Sequence, residues 1–152
     1  FKYLYLNDVK LSPSLWIYGI HGDCPELFNI LEENHILPED KSYTECFLES
    51  IKCHNNNIAN YILSNYIDEN QMGSEELSEF KKKVLLASFQ YHNYFYIPNN
   101  VNENIIFFYA CKYDHFKIVE YLVKTKHVDI NIKEISNSTI KNKIHDIYFY
   151  IT

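Results

Sequence analysis

Arginine does not occur in the 152-residue sequence, so all 14 cationic side chains are lysines, against 20 carboxylates and for a net charge of −6. Arginine is the usual bidentate reader of phosphate and guanine. Its absence, with the acidic balance, argues against a nucleic-acid binder. The one basic run, Lys81-Lys82-Lys83, follows Glu75, Glu76 and Glu79 and reads as the solvated face of a helix. Long apolar runs are missing as well: none reaches the roughly 18 residues of a membrane span. The opening Phe1-Lys2-Tyr3-Leu4 has neither the basic leader nor the small-residue cleavage site of a signal peptide, and it lacks Met. We therefore expect the natural N-terminus to lie further upstream. Glycine (3) and proline (4) are scarce, and GxGxxG, GxxxxGK[ST], HExxH and GxSxG are all absent, which removes the common cofactor and hydrolase signatures. The four cysteines, Cys24, Cys46, Cys53 and Cys111, form no CxxC pair and are too sparse for a secreted disulfide scaffold. Reduced thiols in a cytoplasmic protein are expected.

What the sequence does contain is 47% hydrophobic residues, enough for a packed core, spaced at three- and four-residue intervals through most segments. No alternating strand pattern exceeds four residues. The stretch "YACKYDHFKIVEYLVKTKHVDIN" (109–131) holds two short apolar patches broken at Asp114-His115. Blurred copies lie upstream. "KIVEYLV" places Ile118, Val119, Leu122 and Val123 on one face, "NIANYIL" places Ile58, Ala59, Ile62 and Leu63 there, and "ELFNIL" places Leu27, Phe28, Ile30 and Leu31. The anchors Leu27, Ile58 and Ile118 are 31 and then 60 residues apart, a period near 30 with one blurred unit in between.

Four residues before each anchor stands a corner residue: Asp23, His54 and Asp114. Before that comes a first helix with a small residue facing its partner: Gly19, Ser50 and Ala110. Ser12-Pro13 suits a helix start. A helix pair of this size cannot bury its apolar face alone, so neighbouring pairs must stack.

These residues resemble an ankyrin repeat. Asp114-His115 stands where that family has Gly-His, Ala110-Cys111 where it has paired alanines, and Ile118-Val119 with Leu122 where it has its Ile-Val and Leu core. Asp129-Ile130-Asn131 is similar to the family's Asp-Val-Asn turn. The resemblance is good over 105–133, fair over 14–36 and 45–66, and poor over 67–100. The family's Thr-Pro-Leu-His opening is replaced by Ile105-Ile106-Phe107-Phe108 and by Glu45-Cys46-Phe47-Leu48, which removes the usual opening hydrogen bonds. The Asn/Ile/Tyr-rich, arginine-free style looks like the divergent ankyrin proteins of parasitic protists such as trichomonads.

Cys111 and His115 are four apart, a metal-ligand spacing, but the repeat puts Cys111 in a core slot and His115 at the corner; Cys46, Cys53 and His54 lack a completing ligand. A His21/Cys24 nucleophile pair would need an orienting group and an oxyanion site. We expect neither metal, cofactor nor enzymatic activity. An enzyme would require His21, His54 or His115 to converge with a cysteine and a carboxylate. The aromatics Phe89, Tyr91, Tyr94, Phe95 and Tyr96 could stack single-stranded nucleic acid, but without a basic groove they read as packing between repeats.

The expected fold is an all-α, ankyrin-like solenoid of stacked antiparallel helix pairs. The expected units are roughly 11–43, 44–73, 74–101 and 102–136, with another starting at 137–152 and connections near 36–43, 66–73, 97–104 and 128–136. The repeat core is Leu27, Phe28, Leu31, Ile58, Ala59, Ile62, Ala110, Ile118, Val119 and Leu122. The apolar end Ile147-Tyr148-Phe149-Tyr150-Ile151 implies that further repeats or a partner cover it, and that the chain is part of a longer array. The expected function is protein binding through the groove and connection tips, with Glu39, Asp40, Lys41, Asn99 and Asn100 as contacts and a basic or cytoskeletal partner. The alternatives are a structural part of a larger cytoskeletal or macromolecular assembly, and a small helical enzyme.

Overall fold

The computed structural model describes residues 10–99, 101–126 and 128. Its described residues form seven α-helices, one 3-10 turn and no strand: α1 (Leu15–His21), α2 (Pro25–Glu33), α3 (Thr44–Lys52), α4 (Asn56–Tyr66), α5 (Ser74–Gln90), the 3-10 turn Tyr94–Tyr96, α6 (Glu103–Lys112) and α7 (Phe116–Lys126). They divide into two units, 1–96 and 97–152. In the first, α1 pairs with α2 and α3 with α4, while α1, α3 and α5 stack in a row. In the second, α6 pairs with α7. The architecture is that of a helical repeat protein built from stacked helix pairs. The unit expected to start at 137, the connection at 129–136 and the turn Asp129-Ile130-Asn131 lie outside the described residues, as does the apolar end 147–151.

The helices are short because each first helix ends in the same way. Asp23, His54 and Asp114 all adopt left-handed backbone conformations, with φ of 46°, 56° and 61°. Beyond each, the next residue returns its N–H to the carbonyl of a small residue five positions back: Cys24 to Gly19 (3.0 Å), Asn55 to Ser50 (2.9 Å) and His115 to Ala110 (2.8 Å). This closure satisfies the last carbonyls of the helix and reverses the chain. None of the corners is glycine, so each carries strain that an L side chain feels and glycine does not. His54→Gly should therefore raise stability by about 0.5–1 kcal/mol, the strain relieved less the extra chain entropy of glycine. A thermal melt in which this exposed substitution lowers Tm would contradict that reading.

A fourth corner was not visible in the sequence pattern. His92 is left-handed (φ 58°), and Asn93 returns its N–H to Ser88 (3.0 Å), a serine with no exposed surface. The corners are thus 31, 38 and 22 residues apart, not evenly spaced at 30. The middle interval is long because α5 runs 17 residues against 9 for α3. The last is short because only a three-residue 3-10 turn follows His92. Pro98 accounts for the loss of the second helix, since a proline and the residue before it both resist helical continuation. Residues 74–96 hold a lengthened first helix with its second helix cut short.

Measured from the corners, equivalent positions repeat their burial. Seven residues before each stand Trp16, Phe47, Leu85 and Phe107, all at most 5% exposed. Four after stand Leu27, Ile58 and Tyr96, all buried, and Ile118, which is half-buried. Of the expected core, Leu27, Phe28, Leu31, Ile58, Ala59, Ile62, Ala110, Val119 and Leu122 are buried, and Ile118 is the exception. In unit 1, Trp16 stacks on Phe28 (centroids 5.3 Å apart), meets Tyr43 and Tyr66 edge-on, and donates its indole N–H to the Ile36 carbonyl (2.8 Å). Gly19 is needed for close approach: a Cβ there would lie 2.8 Å from the Phe28 ring.

Asn93 ties the irregular third corner to the second hairpin. It is 4% exposed, and its side-chain amide donates to the Ile51 carbonyl (3.0 Å) and to Asn56 Oδ1 (2.8 Å). Asn93→Ala would remove both bonds and should cost about 1–3 kcal/mol, at about 0.5–1.5 kcal/mol each. A urea midpoint within error of the unsubstituted chain's would rule this out.

Candidate partner-binding surface

The connection 34–43 is ordered by its own polar groups. Asp40 Oδ2 accepts from the Ser42 hydroxyl (2.7 Å) and from the Glu45 N–H (3.1 Å), and Ser42 Oγ accepts from the Thr44 N–H (3.3 Å). These bonds hold the opening of α3. In α6 the same task falls to Asn102, whose side-chain oxygen accepts from the Asn104 N–H (2.8 Å). Tyr43 closes the connection from inside, left-handed (φ 59°) and stacked face to face on Tyr66 with centroids 4.0 Å apart.

Among the residues expected to meet a partner, Glu39 and Lys41 are exposed at the tip of this connection, and Asn99 is exposed in the connection before α6. Asp40 is different: its carboxylate is turned onto α3, so it shapes the tip and is not presented by it. Asn100 lies outside the described residues. Sequence reasoning missed Leu37, half exposed (49%) beside Glu39 and Lys41, and Tyr18 on α1 (65%). The signal for Leu37 was present, because an apolar residue in a polar connection has no helical neighbours to pack with. The aromatic cluster divides: Phe89 and Tyr96 are buried and Tyr91 is partly so, whereas Tyr94 (39%) and Phe95 (68%) face solvent. Tyr96 is an inter-hairpin contact, edge-on to Phe47 and donating its hydroxyl to the Asn56 carbonyl (2.9 Å). In unit 2, Ile105, Phe116 and Tyr121 are exposed. The lysine run pairs with solvent-facing carboxylates, Lys81 with Glu69 (3.3 Å) and Lys82 with Glu79 (3.6 Å).

The titratable groups were placed only partly by the sequence. Cys111 and His115 are buried at the α6–α7 corner. His21 does not pair with Cys24, whose thiol is aimed at Glu26 (3.6 Å). It reaches across to α3 and bonds Glu49 (2.6 Å), and Cys53 lies beside that pair, the ligand atoms of all three being within 4.8 Å of one another. A histidine, a cysteine and a carboxylate thus do converge. For nucleophilic catalysis the thiol would have to be driven toward thiolate. Here burial first, and then the Glu49 charge, push the Cys53 thiol up. Burial also pushes the Glu49 carboxyl up, but hydrogen bonds from Lys52 and His21 outweigh it and hold the group below its usual range. Cys46, in the core, is pushed up to about 12 by burial. Both influences disfavour the Cys53 thiolate, which is poor nucleophile chemistry.

Among the described residues, no helix is long and apolar enough to cross a membrane. No curated protein matches the chain, and neither does any solved structure. Residues 103–132, which take in α6, the Asp114 corner and α7, match the family described as Ankyrin repeat. That match and the helix pairs stacked in unit 1 support an ankyrin-repeat protein, in which such repeats serve as protein-interaction modules.

Proposed function

We propose that the chain is a scaffold or adaptor that holds a partner protein through the tips of its connections and the adjoining face of its first helices. One observation carries the reading: the corner geometry of the ankyrin-matched pair α6–α7 recurs at Asp23, His54 and His92, so the hairpins are variations on one interaction unit. The corners support units of roughly 11–43, 44–73, 74–101 and 102–136. The tip Leu37-Glu39-Lys41 combines an exposed apolar side chain with flanking charges on a backbone held by Asp40 and Tyr43. A pre-ordered tip loses little entropy on binding. The net charge of −6 favours a basic partner surface, chiefly through association rate. Cys24, Cys46 and Cys53, none of them in a disulfide, suit a reducing, cytoplasmic setting.

The test is affinity capture with the chain as bait, compared with a Tyr18→Ala, Leu37→Ser, Glu39→Ala, Lys41→Ala variant that folds to the same circular dichroism. The expected result is loss of the captured protein. Equal capture by the two baits would remove the tip and first-helix face from consideration. Capture only of further copies of the chain would favour a structural role in a larger assembly.

A further inference from the structure

We infer that His21, Glu49 and Cys53 form a zinc-class metal site that staples the first helix pair to the second. The imidazole nitrogen, a carboxylate oxygen and the thiol sulfur lie within 4.8 Å of one another. The set mixes nitrogen, sulfur and oxygen donors, which suits zinc and not magnesium or calcium. With metal–ligand bonds of about 2.0–2.3 Å, donors around tetrahedral zinc stand about 3.3–3.6 Å apart. The hydrogen-bonded His21–Glu49 pair, at 2.6 Å, must open by about 0.7 Å and the thiol must close by up to about 1.2 Å, within reach of rotation by exposed His21 and Cys53. Three protein donors leave the fourth position to water.

The placement follows from the repeat. Glu49 and Cys53 are four apart at the end of α3 and so share a face. His21 is the last residue of α1, and stacking of α1 on α3 carries it to the next corner. The same relation recurs one repeat on, where Lys52, the last residue of α3, stands over the ring of Tyr91 at the end of α5, with Nζ 6.0 Å from the centroid. The hairpin stacking thus delivers the end of one first helix to the end of the next, and only at the first seam are both ends metal ligands. Two of the donors, His21 and Cys53, border a polar cleft of about 380 Å³ that Asp23, His54 and Asn55 also line, open enough to admit a hydrated ion. Besides the His21–Glu49 hydrogen bond, Lys52 opposes binding: its Nζ bonds the same Glu49 oxygen at 2.8 Å and must turn away, which its half-exposed side chain permits. A bound dication supplies the charge that displaces the thiol proton.

The probe is zinc itself, with cobalt(II) as its spectroscopic stand-in, titrated into the purified reduced chain. One equivalent should bind, a cobalt–thiolate charge-transfer band should appear, and zinc at a hundredfold excess over Kd should raise Tm by about 5–10 °C. Cys53→Ser should abolish the band, and His21→Ala should weaken binding at least about tenfold. Cys24→Ser should change neither. Lys52→Met should tighten binding about two- to fivefold by removing the competing cation, an effect that loss of fold could not produce. Persistence of the band in Cys53→Ser, or no band in the unsubstituted chain at millimolar cobalt, would overturn the site. Partner capture that is unaltered by these variants would leave the interaction reading intact.

Discussion

Trp16→Ala should lower the stability of the chain by about 3–5 kcal/mol, the range for removing a large buried aromatic. Trp16 has no exposed surface and touches three aromatic rings from three different segments: Phe28 on α2, Tyr43 at the end of the connection and Tyr66 at the end of α4. Its indole N–H also takes up the Ile36 carbonyl, freed where α2 closes on left-handed His35. Alanine would open a cavity under all three rings and leave that carbonyl without its donor. The Tyr43–Tyr66 stack would then lose the edge that holds it, so the tip 34–43 should loosen together with the core. Hydrogen exchange on the variant should show faster exchange at the Glu45 and Thr44 amides, which the tip side chains Asp40 and Ser42 bind. A loss under 1 kcal/mol in denaturant unfolding would mean that Trp16 is peripheral.

Phe47→Ala should be as costly, about 3–5 kcal/mol, for a different reason. Phe47 is the Trp16-equivalent of the second hairpin, 1% exposed, stacked on Phe80 of α5 (5.8 Å) and edge-on to Tyr96 (5.3 Å). It is where the regular second hairpin meets the irregular third. Tyr96 sits at the anchor position of the shortened unit but is tied down independently, its hydroxyl donating to the Asn56 carbonyl (2.9 Å) and lying 2.8 Å from the Asn60 side-chain amide. A cycle of Phe47→Ala, Tyr96→Ala and the double variant should therefore show a coupling of about 0.5–3 kcal/mol, since the two rings are in contact. Strict additivity would show that the third unit does not lean on the second through this pair.

The inter-repeat seam in unit 1 also carries a polar strap. Glu32 of α2 accepts from the hydroxyls of Tyr61 (2.6 Å) and Tyr66, both on α4, while Asn55 donates to Asp23 (2.8 Å). Neither contact is predictable from spacing, because each joins residues about 30 positions apart whose side chains are individually unremarkable for exposed helix and corner positions. The fold was easier to read. A small residue, a polar corner four positions on and an apolar anchor four beyond that are local features, and Gly19-Asp23-Leu27, Ser50-His54-Ile58 and Ala110-Asp114-Ile118 announce themselves as helix–corner–helix. Ser88-His92-Tyr96 follows the same rule. It was hidden by the extra length of α5 and by an aromatic run that looked like a cluster with no repeat register. A charged residue in a connection is usually solvated, and only the course of the chain turned the Asp40 carboxylate onto α3.

What the order of amino acids settled alone was where helices end and which faces are apolar, since caps, corners and periodicity act over four or five neighbouring residues. It also indicated that single hairpins would have to stack. Which hairpin is cut short, which carboxylate turns inward, and that His21 lies beside Glu49 and Cys53 were decided only by stacking. That step brings residues about 30 apart within ångströms of one another, and no local preference encodes the resulting distances.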